Sequence, residues 1–159
     1  MISDNVINKL MLWEGVKNKP YPDSRRLLTI GAGHLLTKSE LSSGRINIGG
    51  VWVRYSGGIT NKQIGQLLKQ DLQVRDVALT RLLTAAVNQN QYDALLSFVF
   101  NVGIDAFRHS DLLELLNQNW YDAVPTQLRR WNKAGGKKDK GLVNRRNYEI
   151  ELWNAPVVA

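Results

Sequence analysis

The chain has 159 residues, 43% of them apolar, and a formal charge of +7, which is enough apolar content for one compact domain with a packed core and unlike a disordered chain. It contains no cysteine, so disulfides and thiolate metal sites are excluded; with His34 and His109 as the only imidazoles, no metal or other cofactor is expected. No apolar run approaches the roughly 20 residues of a membrane-crossing helix. Residues 1–9 lack the basic-then-apolar order of a secretory signal. The expectation is a soluble chain without stable membrane insertion, held in a cytosol until something releases it.

The positive charge is unevenly placed. Residues 129–146 hold eight basic side chains (Arg129, Arg130, Lys133, Lys137, Lys138, Lys140, Arg145 and Arg146) against Asp139 alone, and the rest of the chain balances 13 against 13. Such a segment attracts polyanions, whether nucleic acid, anionic lipid or the charged polymers of a bacterial envelope; a solvated loop kept soluble by its lysines is the alternative.

In chain order, residues 3–16 predict a helix, with Val6, Leu10 and Trp13 on one face and Ser3 as N-cap. Glu14 falls near its end. Pro20 and Pro22 stop it, and residues 21–30 predict a strand, a turn through Ser24-Arg25-Arg26 and a second strand, in which Leu28 and Ile30 face a core and Thr29 faces the other way. Residues 46–53 alternate about Gly49-Gly50 as a second hairpin. From Thr60, which forms a capping box with Gln63, a helix is expected to run to about residue 86 on an apolar stripe of Ile64, Leu67, Leu68, Leu72 and Leu79. Further helices are expected over 89–102, 110–117, 120–131 and 142–153, with Gly103, Pro125 and Gly135-Gly136 as punctuation. The fold class is α+β: a small N-terminal β lobe of hairpins (about 20–58) joined by a long helix to a mainly helical lobe (about 1–19 and 60–159), together one domain over 1–159.

A helix-end glutamate facing a strand-borne aspartate across a turn can hold two carboxyl groups on opposite walls of a groove, as glycosidic cleavage requires: one protonates the leaving oxygen, the other handles water or forms a covalent intermediate. Glu14 and Asp23 meet that description, although two carboxylates nine positions apart also describe an ordinary exposed pair. Their surroundings are more specific. Trp13-Glu14-Gly15, Tyr21-Pro22-Asp23 and Thr29-Ile30-Gly31-Ala32-Gly33-His34 resemble the opening signature of the phage-type lysozymes, glycoside hydrolase family 24, in which Glu, eight residues, Asp, five residues and Thr follow in that order. Gln91, Asp93-Ala94-Leu95, Ser97-Phe98, Phe100-Asn101 and Gly103 resemble the family's central helix. Arg130-Trp131-Asn132, Gly135-Gly136, Gly141-Leu142 and Arg145-Arg146 resemble its C-terminal motif.

This resemblance implies a lysozyme-like fold and a muramidase that hydrolyses the β-1,4 bond between N-acetylmuramic acid and N-acetylglucosamine by an inverting acid/base mechanism, with Glu14 as general acid, Asp23 activating water and Thr29 holding that water. The acid must carry its proton near neutral pH, and Trp13 beside it offers the apolar surface that favours the neutral form. Asp23, next to Arg25 and Arg26, is expected to be ionised, and the Thr29 hydroxyl can donate and accept at once. Lower in the order of candidates stand Asn101 and Gln91 as amides for acetamido groups, Trp52 as a sugar platform, His34, and Arg145. An arginine at 145 or 146 that reached Glu14 would oppose the effect of Trp13. His34 also reads as a hairpin-stabilising residue, His109 as a surface or helix-start residue, and Trp52, Trp120, Trp131 and Trp153 more as core than as platform.

Two departures from the family pattern stand out. Residues 24–27 lack the glycine common in the turn after the aspartate, and residues 39–58 exceed the family minimum, either extending the substrate groove or completing the β lobe. The expected partner is bacterial peptidoglycan, with anionic envelope polymers next and no nucleic acid, and the chain is expected to be a monomer. It would act on wall peptidoglycan after storage in the host cytoplasm, or belong to a virion as a domain of a larger protein. A lytic transglycosylase, which needs no Asp23–Thr29 pair, and a wall-binding module on the same fold are the competing readings.

Overall fold

The computed structural model describes residues 1–157. Its contacts divide the chain inside one long helix into two compact units, residues 2–74 and residues 75–159 together with Met1. The boundary differs from the expected lobes, because the first helix groups with the strands.

In the first unit, helix α1 (Asp4–Glu14) starts at Ser3, whose hydroxyl accepts from the Val6 amide, and buries Val6, Ile7 and Leu10. It ends two residues earlier than the periodicity suggested, because Gly15 takes φ 72° and donates back to the Met11 carbonyl. Strand β1 (Lys17–Pro22) pairs with β2 (Leu28–Gly31), and β2 with the two-residue β3 (His34–Leu35), all antiparallel. Here one expectation fails: Leu28 is 44% exposed, whereas Thr29 is buried along with Ile30. The short β3 makes β2 the middle strand, so the burial of its residues does not follow the two-strand alternation. Gly31, at φ 69°, lies where an added Cβ would come within 3.3 Å of the Ile64 side chain, so the strand approaches the long helix closely only with glycine there.

Helix α2 (Lys38–Ser43) was not foreseen: it buries nothing and so shows no apolar stripe, although Thr37 and Glu40 write its capping box. Strands β4 (Arg45–Ile48) and β5 (Val51–Arg54) form the Gly-Gly hairpin as expected. Helix α3 (Asn61–Leu82) begins at the Thr60–Gln63 capping box, with Gln63 N–H donating to Thr60 and Thr60 N–H to the Gln63 side chain. Its residues Ile64, Leu67, Leu68 and Leu72 fill the unit's core with Val6, Leu10, Ile30 and Ile46. The helix stops at Leu82, not near residue 86: the Asn117 amide takes up the Leu82 carbonyl and its oxygen accepts from Thr84 N–H.

The second unit is helical. Helix α4 (Gln89–Val102) has eight consecutive buried residues, Tyr92 to Val99, and packs against α8 (Lys140–Asn154). Between them run α5 (Ile104–Arg108), α6 (Asp111–Asn117), a 3-10 turn (Tyr121–Ala123) and α7 (Val124–Arg129), with Pro125 in the first turn of α7. The predicted helix over 120–131 is therefore shorter, and its Trp120 is 62% exposed, not core. His109 ends α5, its ring bonded to the Asp105 carbonyl. The basic segment holds a small exposed hairpin, β6 (Lys133–Ala134) and β7 (Lys137–Lys138), turning on Gly135 and Gly136, both at positive φ.

Candidate active site

Glu14 and Asp23 are set by two chain ends: Glu14 is the last residue of α1, and Asp23 follows the last residue of β1. Both are partly exposed. On β1, Tyr21 is paired across the sheet with Thr29. Its hydroxyl pKa is raised by burial first and then by the negative charges of Glu14 and Asp23, so the phenol senses both carboxylates at once. Sequence reasoning quoted Tyr21 within a motif and gave it no role; its place in the pairing register, opposite Thr29, was the available signal.

The turn after Asp23 is tightly bonded. Asp23 Oδ1 accepts from the backbone amides of Arg25 at 2.8 Å and Leu27 at 2.9 Å, and Asp23 N–H donates to the Leu27 carbonyl. Among the described residues Oδ2 has only the Arg25 guanidinium at 4.0 Å, a pair at an exposed arginine. One carboxylate oxygen thus anchors the loop while the other stays open. The turn, which lacks glycine, has Arg26 at φ 64°, so a residue with a side chain bears the cost of a left-handed conformation. Thr29, 4% exposed, donates its hydroxyl hydrogen to the Leu27 carbonyl at 3.0 Å, which leaves the oxygen's lone pairs as acceptors. Gly33, at φ 81°, lies against Glu14, and a Cβ there would come 3.7 Å from its Oε2. Trp13 is half-buried, and the Lys9 ammonium sits 4.9 Å over its ring.

His34 is a clasp. Its Nδ1 lies 2.8 Å from Asp71 Oδ2 on α3 and its Nε2 3.0 Å from Glu40 Oε1 on α2. Burial alone would lower its pKa, but the hydrogen bonds and charges of Asp71 and Glu40 outweigh it and push the ring up to about 9. Both ring nitrogens therefore donate at neutral pH, tying β3 to two helices. Glu40, against the upward push of burial, is held below its ordinary value by the Thr37 amide and by His34.

In the second unit Gln91 and Asn101 are engaged in structure. Gln91 closes the cap of α4, its side-chain oxygen accepting from Asn88 N–H at 2.9 Å. Asn101 Oδ1 accepts from Arg146 at 2.8 Å, and its NH2 has no partner among the described residues. Arg146, 1% exposed, is held by Glu149 at 2.7 Å and by the Trp131 carbonyl, and lies 4.8 Å over the Phe98 ring, whose edge meets Trp131. Ser97 donates to Glu149 at 2.7 Å. Residues of the central and C-terminal motifs thus meet in one buried network. Burial pushes the Glu149 carboxyl up while Arg146 and Ser97 pull it back. Arg145 is half-buried on α8 beside this pair. Trp52 is 63% exposed on β5, a surface residue and not core. Among the described residues no acidic or histidine cluster could hold a metal ion.

The chain as a whole is similar to known proteins. The family model described as phage lysozyme matches residues 11–149. The endolysin of Salmonella phage P22 is 40% identical over 145 residues, covering 91% of this chain and 92% of that one. The endolysin of Bacillus phage PZA is 38% identical over 97% of this chain, which spans only 55% of that protein's length. Among solved structures, a P22 lysozyme mutant superposes with a TM-score of 0.80 at 37% identity, covering 98% of this chain and 99% of that one. The muramidase domain of SpmX from Asticaccaulis excentricus gives 0.79 at 27% identity, covering 98% and 99%. The chain belongs to the phage lysozyme family, a family of hydrolases.

Proposed function

We propose that the protein is a muramidase that hydrolyses the β-1,4 bond between N-acetylmuramic acid and N-acetylglucosamine in peptidoglycan with inversion at the anomeric carbon. Glu14 gives its proton to the glycosidic oxygen as the C1–O bond breaks. Water attacks C1 from the opposite face and passes a proton to Asp23 Oδ2, the oxygen not engaged by backbone amides. Thr29, its own hydrogen donated to Leu27, accepts the water's second hydrogen and holds it in line. What most supports this reading is Tyr21, whose hydroxyl pKa is raised by the charges of both carboxylates and whose position on β1 is opposite Thr29 on β2, which relates the proposed acid, base and water holder to one residue. Arg145 and the free NH2 of Asn101 are proposed contacts to the sugar chain, with Gln91 a weaker one because its oxygen is committed to the cap.

The chain acts in this account as one lysozyme domain and as a monomer on the host's wall peptidoglycan, after synthesis in the host cytoplasm or as part of a larger virion protein. Among the described residues no helix is long and apolar enough to cross a membrane. The test is turnover of purified peptidoglycan by the wild type and by Glu14→Gln. The variant should be inactive while retaining its fold; full activity in it would mean that the acid lies elsewhere.

A further inference from the structure

The hairpin of β4 and β5 has two faces set by its register. Ile46 pairs with Val53 and Ile48 with Val51, and both isoleucines are buried. The opposite face pairs Arg45 with Arg54 and Asn47 with Trp52. Two arginines thus occupy directly opposed positions, both exposed, with no acidic partner within 4 Å among the described residues. Like charges at directly opposed positions destabilise a strand pair. Next to them Trp52 presents its ring, 63% exposed, to solvent.

This face is held rigidly. Gln70 of α3 clamps the turn from both sides, accepting from Gly49 N–H at 2.6 Å and donating to the Asn47 carbonyl at 2.9 Å. The Asn47 side chain accepts from Gly50 N–H, and Tyr55 at the hairpin's base is buried with its hydroxyl bonded to the Glu40 carbonyl. A ligand meeting this face pays little ordering cost in the backbone. The β6–β7 hairpin makes the contrast: it too opposes like charges, Lys133 and Lys138, but carries no aromatic ring and so offers a field without a platform.

We propose that Arg45, Trp52 and Arg54 form an accessory binding face for peptidoglycan, in which a sugar ring of the glycan stacks on Trp52 and a stem-peptide carboxylate of the same strand is held between the two guanidinium groups. The inference rests on the peptidoglycan reading above. The chemistry follows from the residues: an indole face stacks on the apolar side of a pyranose, the paired arginines match a carboxylate in charge and fork geometry, and an arriving anion removes the repulsion that the empty face bears. Residues 39–58 then do more than complete the strands, because they carry a second hold on the polymer built from elements other than those bearing Glu14, Asp23 and Thr29.

The test measures binding of the full chain, in a Glu14→Gln background, to purified sacculi stripped of phosphate-containing wall polymers, by co-sedimentation. Arg45→Gln/Arg54→Gln and, separately, Trp52→Ala should each weaken binding about tenfold, as expected for loss of charge-assisted contacts or a stacked ring. Amidating the carboxyl groups of the sacculi should bring the parent down to the level of the arginine variant. Arg54→Gln alone should raise Tm by about 1–3 °C, because it removes a like-charge pair. Unchanged binding in both variants overturns the proposal. So do an undiminished difference on amidated sacculi, parental binding that appears only when phosphate polymers are left in place, and a Tm that stays level or falls in Arg54→Gln. Release of new reducing ends in the Glu14→Gln background reports separately on the reading of Glu14, so the two failures are distinguishable.

Discussion

Removing the His34 clasp should produce a pH-dependent loss of stability. The ring's pKa is about 9 in the folded chain against 6.5 for an unperturbed histidine, so protonation favours the folded state. The contribution is fully present below pH 6.5 and is lost as pH rises through about 9. At 1.36 kcal/mol per unit the shift corresponds to about 3 kcal/mol. Because Asp71 is 28% exposed, solvent screening reduces this to about 1.5–3 kcal/mol, or about 3–12 °C in Tm for a chain of this size. Glu40, with its pKa lowered, adds stability above its ordinary pKa that disappears as pH falls, so the clasp is strongest in mildly acidic to neutral solution. The assay is thermal unfolding of wild type and His34→Asn at pH 6 and pH 9.5, with NMR titration of the ring. The two proteins should differ widely at pH 6 and converge at pH 9.5. A constant difference at the two pH values, or a ring titrating near 6.5, would refute the reasoning.

Three other perturbations follow from the structure. Arg26→Gly should raise stability by about 0.5–1 kcal/mol by relieving the left-handed position, whereas Arg26→Val should lower it by about 1 kcal/mol, both read from denaturant midpoints; a loss in Arg26→Gly would contradict the turn geometry. Glu149→Gln should cost about 3–5 kcal/mol because it strands the buried Arg146 guanidinium, and a near-neutral result in the same assay would mean that the network carries little. Charge reversal at Lys137, Lys138 and Lys140, all exposed, should flatten the salt dependence of activity on intact peptidoglycan up to about 0.15 M, where the Debye length is about 8 Å; an unchanged profile would make the hairpin a solvated loop and no more.

Much of the fold could be read in the sequence where an element is long and has a capping signal. Ser3, the Thr60–Gln63 box and the stripe from Ile64 to Leu79 fixed α1 and α3, and the alternation about Gly49-Gly50 gave the hairpin. Short elements escaped: α2 buries nothing, α5 has five residues and buries Phe107 alone, and β6 and β7 have two residues each. Missing the small strand β3 led directly to the wrong assignment of Leu28, since a middle strand is covered differently from an edge strand. For the proposed site, motif spacing singles out Glu14, Asp23 and Thr29 as candidates. The roles of His34 and Arg146 were not legible, because they depend on Asp71, 37 positions from His34, and on Asn101, 45 positions from Arg146, separations over which no local pattern operates. Arg26 shows the reverse case: the missing glycine was visible, but only the backbone reveals that an arginine takes a left-handed conformation there.

The central claim is hydrolysis by Glu14 and Asp23 with water as the nucleophile, and the products of a peptidoglycan digest test it most directly. Wild-type digestion in oxygen-18 water, followed by borohydride reduction and mass spectrometry, should give new reducing N-acetylmuramic ends carrying the heavy oxygen, with inverted anomeric configuration when sampled early by NMR; Glu14→Gln should give none. Anhydro-muramic ends, retention of configuration, or release of peptides without new reducing ends would contradict the account.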